Sequence, residues 1–354
     1  MSESAHPVKI ISLFICMNEK NKIIVAVIGA GYWGPNLIRN FSVTPNCQVK
    51  YVCDLSEERL AIIQRSFSFV TTTTSYEEVL HDAEVDAVII STPVSTHFSL
   101  AIQALHAGKS VFVEKPMAHS VAECKELIDL AERKNLLLAV DHTFLFTGAV
   151  EKIKDLIETK ELDELYYFDS ERINLGLIQS DVNVIWDLAP HDISIMNYLF
   201  DGAKPISVFA TGTSSITKKH VEMAHITIEF DTGAVGHIHV SWISPLKIRK
   251  ILIGGKKKMI LYNDLEPSEK IKIYDKGVSF DPDPATSFRP LYRAGDVFIP
   301  KLDETEALKK EAQHFVQAIL QKTPLLSGGS MGLEVVRILE ACDRSLVEER
   351  KINI

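Results

Sequence analysis

Two short motifs of this chain carry side chains that can move protons. In the first, Lys115 lies between Glu114 and Pro116, directly after a predicted strand from Ser110 to Val113. Ligands bind at the carboxyl ends of parallel strands, and a lysine held there beside a carboxylate and a rigid proline can act as a general acid or base. The same three residues in isolation would also fit a surface turn.

The second motif runs from Trp186 to Asp192, and in it Asp187 and His191 are spaced i, i+4. This spacing puts both side chains on one side of a helix start, with Pro190 in the first turn. Two alternatives stay open. Asp187 could be an N-cap while His191 packs in the core, or the pair could chelate zinc. A third metal ligand is not evident at a suitable spacing, so the sequence predicts no metal site.

A glycine-rich turn, Gly29-Ala30-Gly31-Tyr32-Trp33-Gly34, matches the pattern G-x-G-x-x-G. A β-branched run from Lys22 to Ile28 predicts a buried strand before it, and Pro35 to Phe41 predicts a helix after it. The glycines would allow a tight turn, close approach of a pyrophosphate, and close packing of the helix on the strand. The turn therefore predicts a dinucleotide phosphate at a helix N-terminus.

Further positions complete the predicted cofactor site. Asp54 ends the second predicted strand, where a carboxylate can accept hydrogen bonds from the adenosine ribose and would repel a 2′-phosphate, so NAD is favoured over NADP. Thr92 and Pro93 follow another buried strand, and His97 either lines the nicotinamide pocket or begins a helix without touching ligand. The predicted cofactor-binding residues are Gly29, Ala30, Gly31, Tyr32, Trp33, Gly34, Asp54, Thr92, Pro93, His97, Glu114 and Lys115.

The elements that must position these residues divide the chain. Strands alternate with helices as far as Asp141, which predicts a doubly wound parallel Rossmann sheet of the α/β class. Several strands joined by short turns follow, with Lys256 to Lys258 in one turn, and they predict an α+β domain with a large, mostly antiparallel open sheet. We expect an extension of unassigned role (1-20), an NAD-binding Rossmann domain (21-141), and a substrate-binding and oligomerisation domain (142-354). Its last helices (304-349) are expected near the Rossmann domain.

The bulk properties exclude several classes of protein. The chain has 354 residues, and 47 acidic against 38 basic side chains give a net charge of -9, which argues against a nucleic-acid-binding surface. An apolar run long enough to cross a bilayer is missing, and five cysteines without a CxxC pair fit reduced thiols in the cytoplasm. Because one face of an open sheet needs a cover, we expect a homodimer or homotetramer through the C-terminal sheet.

In combination, these motifs resemble the glucose-fructose oxidoreductase / inositol dehydrogenase (Gfo/Idh/MocA) family. The matching segments are GAGYWG at 29–34, Asp54, STP at 91–93, EKP at 114–116 and DLAPHD at 187–192, and the likeness runs from about Lys22 to the C-terminus. The resemblance implies that Lys115 works near the nicotinamide C4, with Asp187 and His191 completing an acid/base triad on the substrate hydroxyl.

Three stretches, 141–146, 170–194 and 292–315, resemble the branch that oxidises the 3-hydroxyl of UDP-N-acetylglucosamine or its uronic acid. Phe146 departs from that branch, which often has tyrosine there. The implied reaction passes a proton to His191 or Lys115 and a hydride to NAD. The predicted substrate residues are Arg172, Asn174, Asn183 and His142. Arg172 could hold a carboxylate or diphosphate, or form an exposed salt bridge, and His142 could touch substrate or fill the hinge.

Other functions remain open at this level. A polyol, inositol or simple-sugar dehydrogenase would use the same residues. A cofactor-binding regulator without turnover would keep the fold, although the presence of Lys115 and His191 speaks against it. An enzyme that cleaves glycosides or epimerises sugars would return the hydride. Arg289, Tyr292 and Arg293 lie in a proline-rich stretch, 280–300, that is long enough for a loop over the active site.

Overall fold

The computed structural model describes residues 21–280 and 290–354, which form two β-sheets flanked by helices. Within those ranges, none of the helices has both the length and the apolar character that a bilayer-spanning segment requires. The predicted fold class, a Rossmann sheet followed by an α+β domain with a broad open sheet, is confirmed.

The first sheet is parallel and has six strands in the order β3-β2-β1-β4-β5-β6. Its central strands are β-branched and buried on both faces, as a sheet covered by helices on both sides requires. The strands are β1 (Ile23–Ile28), β2 (Cys47–Cys53), β3 (Thr71–Thr73), β4 (Ala87–Ile90), β5 (Ser110–Glu114) and β6 (Leu138–Asp141). The chain order reverses beside β1, so the crevice at the carboxyl ends of β1 and β4 is the ligand position of this architecture.

The helices of this half follow the strands in turn. Serine side chains at 56, 75 and 120 cap three of them by accepting backbone N–H groups. The helices are α1 (Gly34–Ser42), α2 (Glu57–Ser66), α3 (Tyr76–His81), α4 (His97–His106) and α5 (Val121–Lys134).

The second sheet has nine strands in the order β14-β13-β12-β11-β7-β10-β9-β8-β15. Every neighbouring pair is antiparallel except β7 and β10, which run parallel. The strands are β7 (Leu165–Leu175), β8 (Pro205–Thr213), β9 (Met223–Phe230), β10 (Val235–Ser241), β11 (Ile243–Gly255), β12 (Met259–Asn263), β13 (Ile271–Phe280), β14 (Pro290–Phe298) and β15 (Ile352–Asn353). Lys256 to Lys258 form the predicted turn, between β11 and β12.

The expected loop at 280–300 is wrong for the residues that the structure describes there. Tyr292 and Arg293 lie in β14, which pairs with β13, and Arg293 Nε donates to Asp275 at 2.9 Å. Prolines in this stretch favour a loop when the sequence is read alone. The exposed edge strand β14 nevertheless begins with Pro290, because an edge strand tolerates a proline at its start. Arg289 lies outside the described residues.

Four further helices follow: α6 (Gly148–Glu158), α7 (Val184–Leu199), α8 (Ala307–Gln321) and α9 (Gly329–Glu348). Of these, α7 and α9 pack on the inner face of the second sheet. The predicted start of α7 at Asp187 is wrong. Asn183 caps the helix by accepting from the backbone N–H groups of Ile185 and Trp186. Pro190 therefore lies inside the helix rather than in its first turn, and Asp187 is not the N-cap.

Helix α8 returns from the second half of the chain to pack on the Rossmann sheet. Phe315 of α8 meets Phe41 of α1 and Phe112 of β5, with ring centroids 6.2 and 5.5 Å apart. At the surface, Arg39 and Glu306 form a two-pronged ion pair between the same elements. The core of the first sheet is thus completed by residues near the end of the chain.

The outer face of the nine-stranded sheet is open in the described residues. One row across it joins Phe209, Thr227, His237, Asp169 and Leu252 in register. In the adjacent row, His239 lies on the same face of β10 as His237, and its ring stacks on His225 at 4.1 Å.

Candidate active site

The glycine turn between β1 and α1 leaves space where a pyrophosphate would bind. Gly29 has φ +99°, and a Cβ there would meet the carbonyl oxygen of Ser91 at 2.2 Å. A Cβ on Gly34 would meet the carbonyl oxygen of Gly29 at 2.3 Å, whereas one on Gly31 would have nothing within 4 Å. Two glycines are therefore needed by the turn itself, and the third faces open space that fits the cofactor.

The three residues between the glycines of the turn, Ala30, Tyr32 and Trp33, differ in their contacts. Asp54 Oδ2 accepts from the backbone N–H of Ala30 at 2.7 Å, and its Oδ1 accepts from that of Ser56 at 2.8 Å. The carboxylate thus lies against the turn, at the edge predicted for the ribose. Tyr32 is 92% exposed, whereas Trp33 donates its indole N–H to Asp141 Oδ2 at 2.9 Å.

His97 connects two of the predicted motifs. Its Nε2 lies 2.8 Å from the carbonyl oxygen of Thr92, and its Nδ1 lies 2.9 Å from that of Pro116. The ring is buried, and burial lowers its pKa. Both ring nitrogens face backbone, so His97 holds the segment of Thr92 and Pro93 against the segment that bears Lys115, which is a positioning role.

Lys115 and Asp187 meet across the cleft between the two halves. Lys115 Nζ donates to the Asp187 carbonyl oxygen at 2.7 Å and lies 3.5 Å from its carboxylate Oδ1. The other carboxylate oxygen accepts from Trp242 Nε1 at 2.9 Å. Together with Thr92 and Glu114, Lys115 and Asp187 line a cavity of about 170 Å³. The cavity joins the end of β5 to α7, as the two motifs require.

His191 lies one turn of α7 beyond Asp187. Its Nδ1 is buried and has no hydrogen-bond partner among residues 21–280 and 290–354. The edge of its ring contacts Phe144, with centroids 5.0 Å apart. Burial lowers the pKa of His191 well below its usual value, and the positive charges of Lys115 and Arg172 lower it further. A neutral imidazole with a free nitrogen can accept a proton.

Arg172 is held by Asp192 rather than exposed. Its Nε and Nη2 donate to the Asp192 carboxylate at 2.6 and 3.2 Å, and its guanidinium stacks over Phe144 at 4.5 Å. The alternative of an exposed salt bridge is therefore wrong, because both side chains are buried. Asn174 lies two residues along β7, on the same inner face of the sheet.

The other two predicted substrate residues, His142 and Asn183, are less well placed to contact a substrate. His142 is buried, neither ring nitrogen has a partner in the described part of the chain, and burial lowers its pKa to about 3. It lies near enough to His191 for the two rings to influence each other. Asn183 caps α7 and donates to Asp343 at 2.9 Å, so both ends of its side chain are already engaged.

Glu114 is the most perturbed carboxyl that lines the cavity. Burial raises its pKa to about 8, against the opposing charge of Lys115, and Asp141 raises it further. It is therefore mostly protonated at neutral pH. The described ranges contain no cluster of three or more histidine, cysteine or carboxylate side chains that could hold a metal ion.

Sequence reasoning missed Trp242, Arg249 and Asp141. Trp242 and Asp141 reach the site through single hydrogen bonds to residues far away in the chain. Arg249 lies opposite Arg172 in the register of β7 and β11, and its charge acts on His191. No local motif marks any of the three, although the alternation of buried residues in β11 puts Arg249 on the inner face.

Comparison with known proteins matches both halves of the chain. Residues 23–142 match the family model "Oxidoreductase family, NAD-binding Rossmann fold", and residues 154–354 match "Oxidoreductase family, C-terminal alpha/beta domain". The first match agrees with the space beside Gly31 and with the prediction of NAD as cofactor.

Several of the named relatives are dehydrogenases. UDP-N-acetylglucosamine 3-dehydrogenase of Acidithiobacillus ferrooxidans is 30% identical over 72% of this chain and 76% of its own. The scyllo-inositol 2-dehydrogenase (NAD(+)) of Bacillus subtilis is 28% identical over 89% of this chain and 92% of its own. The solved structure of UDP-N-acetylglucosamine 3-dehydrogenase GnnA from Acidithiobacillus ferrooxidans superimposes with a TM-score of 0.76, at 27% identity over 92% of this chain and 97% of that chain. The chain belongs to the Gfo/Idh/MocA family and is an NAD-dependent dehydrogenase of CH–OH groups.

Proposed function

We propose that this enzyme oxidises the 3-hydroxyl of a sugar nucleotide, such as UDP-N-acetylglucosamine or its uronic acid. The observation that carries the proposal is the pair of arginines at the inner face of the sheet. Arg172 is neutralised by Asp192, whereas the ion-pair partner of Arg249 among the described residues is Asp264, at 3.4 Å, which is shared with Lys270 at 3.9 Å. Net positive charge beside His191 fits an anionic substrate, and inositols carry no charge.

Two of the named relatives bear on this choice. The relative at 30% identity acts, by its name, on UDP-N-acetylglucosamine at position 3. The relative at 28% identity acts on scyllo-inositol, so a polyol substrate is the second candidate. The charge of Arg249 favours the sugar nucleotide over the polyol.

In the proposed reaction, the chain's residues position the hydroxyl and move its proton. His191, neutral because its ring is buried, accepts the hydroxyl proton. Lys115, fixed by the carbonyl and carboxylate of Asp187, stabilises negative charge on the substrate oxygen. Trp242 holds Asp187, and Phe144 holds the His191 ring.

NAD supplies the hydride acceptor when it is bound. The turn at Gly29–Gly34 would hold its pyrophosphate, Asp54 its adenosine ribose, and the segment at Thr92 and Pro93 with Lys115 its nicotinamide. The protonated Glu114 lies next to Lys115, where an ionised carboxylate would compete with Asp187 for the ammonium.

A substrate panel tests the proposal. The wild type is incubated with NAD and UDP-N-acetylglucosamine, its uronic acid, scyllo-inositol, myo-inositol or glucose, and NADH absorbance is followed. We expect turnover of a UDP-sugar, abolished in Lys115→Ala. Turnover of the inositols alone would overturn the substrate proposal, and no turnover of any polyol or sugar would favour the regulator. If the purified protein retains NAD and the product has the same oxidation state as the substrate, an epimerising or glycoside-cleaving enzyme would be favoured.

Arg249 can be tested separately. Arg249→Met should raise KM for the UDP-sugar roughly tenfold or more, since a hydrogen bond to a charged group contributes about 1.5–3 kcal/mol. Lys250→Met is the matched control, because Lys250 lies on the opposite face of the same strand. Equal KM values for the two variants would remove Arg249 from the proposal.

A further inference from the structure

Two buried carboxyl groups face each other behind the cofactor turn. Asp141 ends β6 and is 2% exposed, and Glu311 lies in α8 and is 1% exposed. Asp141 accepts from Trp33 Nε1 at 2.9 Å and from the hydroxyl of Thr143. Glu311 Oε1 lies 3.5 Å from the Ser327 hydroxyl, and its Oε2 has no conventional donor in the described ranges. The Asp141 carboxyl lies within hydrogen-bonding reach of Glu311.

Their surroundings decide which of the two carries the proton. Asp141 already accepts from two donors, whereas Oε2 of Glu311 has none in the described ranges. Burial raises the pKa of Glu311 well above its usual range, and the charge of Asp141 raises it further. The backbone of His142 and the hydroxyl of Thr143 oppose this rise only in part. Protonated Glu311 can therefore donate to Asp141.

The other titratable groups near the pair do not alter that assignment. Glu114 is paired with Asp141 in the register of β5 and β6, and its own pKa is raised to about 8 by burial. His314 follows on α8, and its Nε2 accepts from the backbone N–H of Leu326 at 2.9 Å. Burial lowers the pKa of His314, so it brings no positive charge to Glu311 at neutral pH.

We propose that Glu311 is a positioning residue for NAD, which acts through Asp141 on Trp33 and so on the turn that receives the pyrophosphate. Trp33 directly precedes α1, and its carbonyl oxygen accepts from Asn36 and Leu37 in the first turn of that helix. A displaced indole would therefore move the helix start on which the phosphates rest. Glu311 is supplied by a helix from the far end of the chain, and its contact with the predicted substrate residue His142 is to the backbone.

NAD affinity without substrate tests the proposal, so its result does not depend on which hydroxyl is oxidised. Kd for NAD is measured by calorimetry at pH 7. Glu311→Ala should raise Kd roughly tenfold, by the loss of a buried hydrogen bond to a charged group, and Glu311→Gln, which keeps an N–H donor, should recover most of it. Glu306→Gln is the control, because it cuts the exposed ion pair between Arg39 of α1 and the residue directly before α8, and leaves the buried pair intact.

Two further readouts separate this role from general loss of structure. Trp33→Phe should also raise Kd. The double variant Trp33→Phe/Glu311→Ala should have a Kd close to that of the single variants, because both substitutions break the same chain of contacts from Glu311 through Asp141 to Trp33. In the wild type, Kd should rise as pH increases and Glu311 loses its proton, since two adjacent carboxylates repel each other. In Glu311→Gln the rise should be smaller, because only the titration of Glu114 remains. If Glu311→Ala does not fold, Trp33→Phe and the pH comparison decide. Additive effects, or the same pH dependence in Glu311→Gln, would overturn the proposal.

Discussion

Trp242 donates its indole N–H to the Asp187 carboxylate at 2.9 Å, and the carbonyl oxygen of the same aspartate accepts from Lys115. One buried tryptophan at the end of β10 thus fixes the group that orients the lysine. Trp242 is 1% exposed, so the donor of this bond is shielded from water. In the described structure, Asp187 therefore links both halves of the candidate active site.

We expect Trp242→Phe to lower kcat roughly tenfold, because an unfixed Asp187 would hold Lys115 less firmly and a tenfold change corresponds to about 1.4 kcal/mol in the barrier. Kd for NAD should stay unchanged, since the glycine turn is not involved. Steady-state kinetics with the best substrate of the panel gives kcat, and calorimetry gives Kd. An equal loss in Trp186→Phe, whose indole bonds to Asp343 instead, would argue for a packing effect.

The pH dependence of kcat/KM should report on His191. Because burial lowers its pKa well below 6.5, the ring is already neutral at pH 6.5 and stays neutral as the pH falls somewhat further. A base of ordinary pKa would lose activity there through protonation. We expect a flat kcat/KM on the acid side of neutrality, and a drop of roughly a hundredfold or more in His191→Asn at all pH values. An acid limb centred near 6.5 in the wild type would contradict this assignment.

Two alanine substitutions in the glycine turn should separate stability from cofactor binding. Gly34→Ala puts a Cβ 2.3 Å from the Gly29 carbonyl oxygen and should destabilise the fold by roughly 1–3 kcal/mol. Gly31→Ala puts its Cβ into the space reserved for the pyrophosphate, so Tm should be kept while Kd for NAD rises. Thermal unfolding and calorimetry measure the two quantities. Wild-type affinity in Gly31→Ala would mean that the phosphates approach another part of the turn.

The open face of the nine-stranded sheet should mediate self-association. Leu252 lies on that face and is 42% exposed, and Ile62 on α2 is a control with 54% exposure. We expect a dimer or tetramer by light scattering coupled to size exclusion, reduced to smaller species in Leu252→Glu and kept in Ile62→Glu. A monomeric wild type at micromolar concentration would remove the sheet from consideration as an interface.

The Rossmann half was predictable because its signals are local. Buried β-branched runs, glycine turns and serine caps each determine a short segment, and the strand ends then bring Asp54, Thr92 and Lys115 to one edge. The start of α7 was missed because Asn183 acts through its side chain and because Pro190 is accommodated inside a helix. The strand β14 was missed because an edge strand tolerates proline.

The contacts between distant parts of the chain had no such signal. Trp242, Arg249 and Glu311 reach the site only through sheet register or through a helix that returns from the end of the chain. A buried carboxyl such as Glu311 looks in sequence like one more polar residue of an amphipathic helix. Its proximity to Asp141 becomes visible only in the folded structure, where α8 packs on the Rossmann sheet.

The packing of Phe315 against Phe41 and Phe112 also bears on how the protein is made. During translation, the N-terminal half leaves the ribosome long before α8 is synthesised. Until then, the apolar surface that receives Phe315 has no cover, and the Trp33–Asp141 contact lacks Glu311 behind it. We therefore expect the nucleotide-binding half to expose this apolar surface when it is cut out of the chain, and its last packing step to await nearly the whole chain.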